Sequence, residues 1–136
     1  MSHGETVLAE LLRSMQPVLN PGVYVYAFVP PATELTGISC LATFREAEGL
    51  TVILEEAEAL RLGWPLLFRA AWLTLTIHSD LEAVGLTAAF ATALAEAGIS
   101  CNVVAAAYHD HIFVPIESGP AALAVLQTLQ QDAMQS

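Results

Sequence analysis

GISC spans residues 37–40, and GISC returns at residues 98–101. Laid over each other, TGISCLATFREAEGLTVILEEAEAL and AGISCNVVAAAYHDHIFVPIESGPAAL keep one order: apolar run, polar break, apolar run, helix-forming stretch. EAEG meets YHDH at the break, and LTVIL meets HIFVP after it. Four identical letters are weak support by themselves. Agreement through a whole hairpin and into the next segment indicates an internal repeat of one supersecondary unit.

Working outward, residues 5–15 (ETVLAELLRSM) place Val7, Leu8, Leu11, Leu12 and Met15 on one helical face. Pro17 and the NPG at 20–22 end that helix. GVYVYAFVP at 22–30 reads as a strand, rich in valine and aromatics. PPATELT is a loop. Residues 38–56 read as two strands joined at EAEG, where Gly49 supplies a permissive backbone. EEAEALRLG forms a short helix closed by Gly63, and residues 64–69 link the halves.

In the second half, WLTLTIHS at 72–79 alternates strictly. Leu73, Leu75 and Ile77 face one way, and Thr74, Thr76 and His78 the other. SDLEAVG is a loop. Residues 86–98 form a helix with Leu86, Phe90 and Leu94 in register and Gly98 as its stop. ISCNVVAAAY is a strand, YHDH a tight turn, and IFVPI the returning strand, with Pro115 at an edge or bulge. Ser118 and Gly119 open a last helix with Pro120 in its first turn and Val125, Leu126 and Leu129 on its buried side.

The second copy is therefore β-α-β-β-α, the order of a split βαβ, ferredoxin-like layer. The first copy lacks the crossover helix, and residues 5–15 are expected to cover its sheet instead. The expectation is an α+β protein of two tandem units with mainly antiparallel sheets, a degenerate one over 1–63 and a regular one over 70–136. One sheet face lies under helices. The other, with Thr74, Thr76 and His78, is open to solvent or a partner.

Composition bounds the function. Apolar residues are 55% of 136, with a mean hydropathy of +0.58, enough for a core and a subunit interface, hence an expected homodimer. The greasiest run, WPLLFRAAWLTLTIHSD, is broken by Pro65 and Arg69, so no membrane span is expected. MSHGETVLAELLRSM has acids and no basic cluster before an apolar core, unlike a secretory signal, and a cytoplasmic protein is expected. Net charge is −10 with no lysine; Arg13, Arg45, Arg61 and Arg69 are the whole basic set. Nucleic acid and anionic membranes are then poor partners. Schiff-base chemistry and a Walker-type phosphate loop are excluded as well. Cys40 and Cys101, one in each GISC, read as reduced, buried small hydrophobes within strands.

No catalytic residue stands out. Ser39, Ser79 and Ser100 lack a G-x-S-x-G setting, and no nucleophile–base pair is visible. His109, Asp110 and His111 raise a metal reading, because histidines two apart in a strand share a face. The repeat, however, puts His109 and Asp110 in the turn, with Asp110 capping it, and no third ligand follows at fixed spacing. No metal or cofactor is expected, and a metal-dependent enzyme is the third of three functional readings.

HSDLEAVGLTAA, GISCNVVAAAYHDHIFVP and FREAEGLTVIL together resemble an ACT domain. The chain is similar to small bacterial ACT-domain proteins in which a degenerate ACT-like half precedes a regular one. These are related in architecture to the CASTOR arginine sensors of animal cells. The resemblance runs from about residue 5 to 133 and is most specific over 73–115. It implies a regulatory, amino-acid-binding, usually dimeric fold without catalytic residues. Its ligand site lies between units, at the turn after the first strand, the start of the following helix and a neighbouring strand. Carried over, the site is Asp80, Leu81, Glu82, Ala83, Val84, Gly85 and Leu86, with Asn102 and Val103 as additions. The physics agrees: a helix N-terminus suits a carboxylate, and Asp80 or Glu82 suits an ammonium or guanidinium. The first half, lacking the helix, offers no equivalent site. The alternative is a protein–protein interaction module with a vestigial pocket.

Overall fold

The computed structural model describes residues 3–76 and 85–135, with side chains from residue 8 onward. In chain order the elements are α1 (His3–Ser14), β1 (Pro17–Leu19), β2 (Tyr24–Val29), β3 (Ala42–Arg45), β4 (Leu50–Glu55) and α2 (Glu56–Leu62). They continue with β5 (Leu66–Thr76), α3 (Leu86–Glu96), β6 (Asn102–Ala105), β7 (His109–Pro115), a 3-10 turn at Ile116–Ser118, and α4 (Gly119–Gln135). The strands form one sheet in the order β3-β4-β2-β5-β7-β6, and β1 pairs with β5 beside the start of β2. Every described pairing is antiparallel.

The two GISC copies do equivalent work. Gly37 has φ 79° and Gly98 φ 76°, left-handed conformations that favour glycine over any residue with a Cβ. Each then drops an isoleucine and a cysteine onto its own core. Ile38 and Cys40 pack on the cluster of the first half, and Ile99 and Cys101 on that of the second. The cysteines precede β3 and β6 rather than lying in them, and both are half-buried.

Residues 64–69 are not a free linker. β5 starts at Leu66 and runs 11 residues, pairing with β2 through Leu66–Ala70 and with β7 through Ala70–Thr76. Leu66 and Phe68 are half-buried while Leu67 and Arg69 are exposed, the two-residue period of a strand. Pro65 falls just before the first paired residue, so it removes no ladder bond.

One sheet face carries the helices. Ala71, Leu73 and Leu75 of β5 and Ile112 and Val114 of β7 bury against Leu86, Phe90 and Leu94 of α3 and Ala122 and Leu126 of α4. Val25, Ala27, Val29, Val52 and Leu54 do the same beneath Ala59 of α2. Val25 pairs with Arg69, two residues before Ala71, so both clusters share this face. α1 does not cover the first half as the sequence pattern suggests. Leu11 and Met15 sit in the second half's core, and Gln130 Nε2 of α4 donates to Arg13 O at 2.8 Å. α2, Ile38, Cys40 and Trp64 already fill the first half, so the amphipathic stripe of α1 seats where apolar surface remains uncovered.

The opposite face is aromatic. Ile53, Ala70 and Phe113 are buried there, flanked by Tyr26, Ala42, Phe68 and Trp72. Tyr26 meets Phe68 and Phe113 edge-on at 5.6 and 5.7 Å, and Trp72 stacks on Phe113 at 6.5 Å. Thr74 and Thr76 are half-buried at its end rather than open to solvent, and His78 lies outside the described residues. The right-handed twist of a long sheet curls this face inward. The two edges therefore approach one another: Leu41 and Ala42 at the start of β3, and Val104 and Ala106 of the β6 edge, line one cavity.

The second hairpin turns earlier than expected. Ala106 N–H donates to His109 O at 2.9 Å, and β7 begins at His109. Asp110 is therefore a strand residue opposite Leu75 and Ala105, not a turn cap. Tyr108, 78% exposed, takes the tip.

Candidate functional site

Asp80, Leu81, Glu82, Ala83 and Val84 lie outside the described residues, so the geometry begins at Gly85. Gly85 is the N-cap of α3 with φ 94°. Among the described residues a Cβ there would meet only the Leu8 side chain, at 3.6 Å and beyond, so the left-handed backbone is what favours glycine. Its carbonyl accepts the Ala89 N–H at 2.9 Å, closing the first turn. No side-chain oxygen caps α3 among the described residues, and its first turn holds no acid. The leading N–H groups of α3 are therefore without intrahelical partners and carry the positive dipole end. Leu86 is only 3% exposed, with its side chain in the core, so it can offer a ligand its backbone alone.

Asn102 and Val103 are the first two residues of β6. Asn102 pairs with Phe113, which pairs with Trp72; Thr76, the last described residue of β5, pairs with His109. Asn102 thus lies four strand positions from the β5 end, about 13 Å at ~3.3 Å per residue. Its side chain faces the aromatic side, and Val103, paired with Ile112, faces the helices. The two side chains therefore lie on opposite faces of the sheet.

The loop that stands where the first half lacks its helix was not seen as a site from the sequence. Pro31, Thr33, Glu34, Leu35 and Thr36 wall a cavity of about 790 Å³ with Thr43, Arg45, Glu46 and Leu50. Thr33 N–H donates to Pro30 O and Ile38 N–H to Leu35 O, two short turns that fold the loop back on itself. Arg61 and Arg69 are paired with Glu58 and Glu56 across exposed surface, which holds both carboxyls below their usual range. Arg45 instead lines this cavity together with Glu34 and Glu46, so both charge signs face one volume. The signal for it was the chain order alone, a loop between a strand and GISC in both halves.

His109 and His111 share the aromatic face after all, with ring centres 5.9 Å apart. His111 Nδ1 accepts the Trp72 Nε1–H at 3.1 Å. Asp110 points to the helix side, and among the described residues no three of His, Cys, Asp and Glu gather. Burial pushes His111 below the usual histidine range, with His109 adding to it and Asp110 opposing. Burial likewise raises the Asp110 carboxyl and both cysteine thiols. The thiols are thus poor nucleophiles.

Comparison with known proteins bears on the fold. ACT domain models match residues 3–71 and 68–128. A crystal structure of a Vibrio cholerae protein of unknown function, described as a possible transport protein, has a TM-score of 0.84 at 48% identity, covering 93% of this chain and 98% of that one. The regulatory subunit of aspartate kinase from Thermus flavus has a TM-score of 0.63 at 11% identity, covering 85% of this chain and 98% of its own. An Agrobacterium tumefaciens protein has a TM-score of 0.66 at 14% identity over 85% and 89%. At 11% and 14% identity the likeness is one of fold alone. No curated protein sequence matches. With two matched domains meeting in β5 and one continuous sheet, the chain belongs to the ACT-domain family.

Proposed function

We propose that this protein is a non-catalytic regulatory protein of the cytoplasm that binds an amino acid or similar small zwitterion. The observation that carries the reading is the α3 N-terminus: a helix start with no side-chain cap among the described residues, behind a left-handed Gly85, in an ACT-family chain. Its N–H groups suit the ligand carboxylate, and Asp80 or Glu82 the ammonium. Asn102 and Val103 join the site from a second copy through the exposed backbone edge of β6, since their side chains face opposite sides of the sheet. On this reading the assembly is a homodimer with ligand at the subunit interface. Ligand binding there biases one packing arrangement and so reports metabolite level. With ten net negative charges and no lysine, neither nucleic acid nor an anionic membrane is a partner.

Exposed Phe44 (71%) and Leu67 (64%) favour a second reading, a protein-interaction module whose pocket is vestigial. A thermal-shift screen against the common amino acids separates them. A ligand at a hundred times its dissociation constant adds about 2.7 kcal/mol to stability. The proposal expects one compound to raise the melting temperature, Gly85→Trp to abolish the rise, and the ligand-free melting of the variant to show that it folds. A rise lost in Arg45→Ala but kept in Gly85→Trp moves the site to the Pro31–Leu50 cavity. No shift at millimolar concentration leaves the interaction module.

A further inference from the structure

The curled aromatic face carries a partly open feature that the amino-acid reading does not use. Between the two sheet edges lies a cavity of about 160 Å³ lined by Leu41, Ala42, Val104, Ala106, His111 and Phe113. It is on the face opposite the helices, whereas Gly85 contacts Leu8 of α1 on the helix face. Its size is that of the dry, aliphatic cavities that take up a single aromatic ring. Five of its six lining side chains are apolar, and no arginine, aspartate or glutamate is among them. A zwitterion or an anion would enter without a counter-charge, against a chain of net charge −10.

The sixth, His111, fixes the polarity of the site. Its Nδ1 is occupied by the Trp72 indole N–H at 3.1 Å, so the neutral ring carries its own proton on Nε2. Trp72 is in turn held by stacking on Phe113 and by the edge of Tyr24 at 5.1 Å. The imidazole is thereby set as a donor, not an acceptor. No other described group meets Nε2, and the side chain lines the cavity. An apolar volume with one fixed N–H donor selects for shape and for one acceptor atom.

We propose that this cavity is a second binding site, for a small neutral molecule of one ring or a branched aliphatic chain bearing a single hydrogen-bond acceptor, held by His111 Nε2–H. Leu41 and Val104, each about two-fifths exposed (38% and 39%), form its rim.

The test uses benzyl alcohol and toluene as probes, followed by NMR shifts in the full-length protein. Benzyl alcohol is expected to saturate, with shifts centred on Ala42, Val104 and Phe113. His111→Phe keeps the ring-sized space and removes the donor. It should weaken benzyl alcohol about tenfold, the worth of one neutral hydrogen bond, and leave toluene unchanged. Ala106→Trp, at an exposed rim position that tolerates bulk, should block both probes. Non-saturating shifts, probe binding unaltered by Ala106→Trp, or equal weakening of both probes by His111→Phe would each overturn the proposal. Gly85→Trp should leave benzyl alcohol binding intact, so failure here and failure of the amino-acid reading are separate results.

Discussion

Two glycines show how differently the same residue type can be required. Gly49 has an ordinary φ, but a Cβ there would lie 2.5 Å from the Val29 carbonyl oxygen and 2.6 Å from Phe28 Cζ. Gly37 has open space around it and φ 79°. Gly49→Ala is therefore expected to cost about 1–3 kcal/mol by overpacking, and Gly49→Asn at least as much. Gly37→Ala should cost about 1 kcal/mol, and Gly37→Asn should recover most of it because asparagine tolerates the left-handed region. Urea unfolding of the four variants checks this. Of the two, only Gly49 had been given a reason from sequence, and that reason was a turn. The contact that constrains it comes from β2, about twenty residues away, which no local pattern reports. His111 supplies the pH dependence. The fold favours its neutral form, so below an unfolded value of about 6.5 the unfolded chain binds more protons. Its contribution to stability is complete above that pH and is lost as pH falls toward the lower folded value. Asp110 acts oppositely and elsewhere: its raised carboxyl relieves a penalty only as pH falls toward about 3.9. The urea midpoint should drop between about pH 7 and 5, and less so in His111→Phe.

Among the elements, helices were legible because a 3.6-residue stripe against one core is a local signal. Leu86, Phe90 and Leu94 of α3 and Leu11 of α1 are all buried as their spacing indicates. What spacing could not say is which surface receives the stripe. α1 was expected over the first half and lies over the second, where Met15, just past its end, is fully buried. Met15→Ala should accordingly cost about 2–5 kcal/mol, as truncation of a buried core side chain does. In hydrogen exchange, the amides of β7 and α4 should lose more protection than those of β3 and β4. The reverse order would place α1 back over the first half. β5 was legible only in part, since Pro65 and Arg69 look like breaks. Arg69 is instead an exposed strand residue paired to Glu56 at the start of α2. The aromatic face escaped notice because YVYAFV is apolar at both parities, so it carries no period to assign its faces.

At the scale of the whole molecule, the repeat is real but the halves are not independent. β5 belongs to both, pairing β2 with its first residues and β7 with its last. β1, from the N-terminal end, pairs with the part of β5 that carries the second half's core. A cut between the halves would either split β5 or strip α1 and β1 from the core they complete. A chain wired this way should unfold as one unit. Its two tryptophans allow the point to be tested, because Trp64 packs on the first half's cluster and Trp72 on the central aromatic face. In Trp72→Phe the remaining fluorescence reports the first half; in Trp64→Phe it reports the sheet centre. Within each variant the fluorescence midpoint in urea should coincide with the far-ultraviolet circular dichroism midpoint. If Trp64 fluorescence changes before the dichroism does, the first half opens alone. The shared strand would then be a hinge between two domains rather than the spine of one.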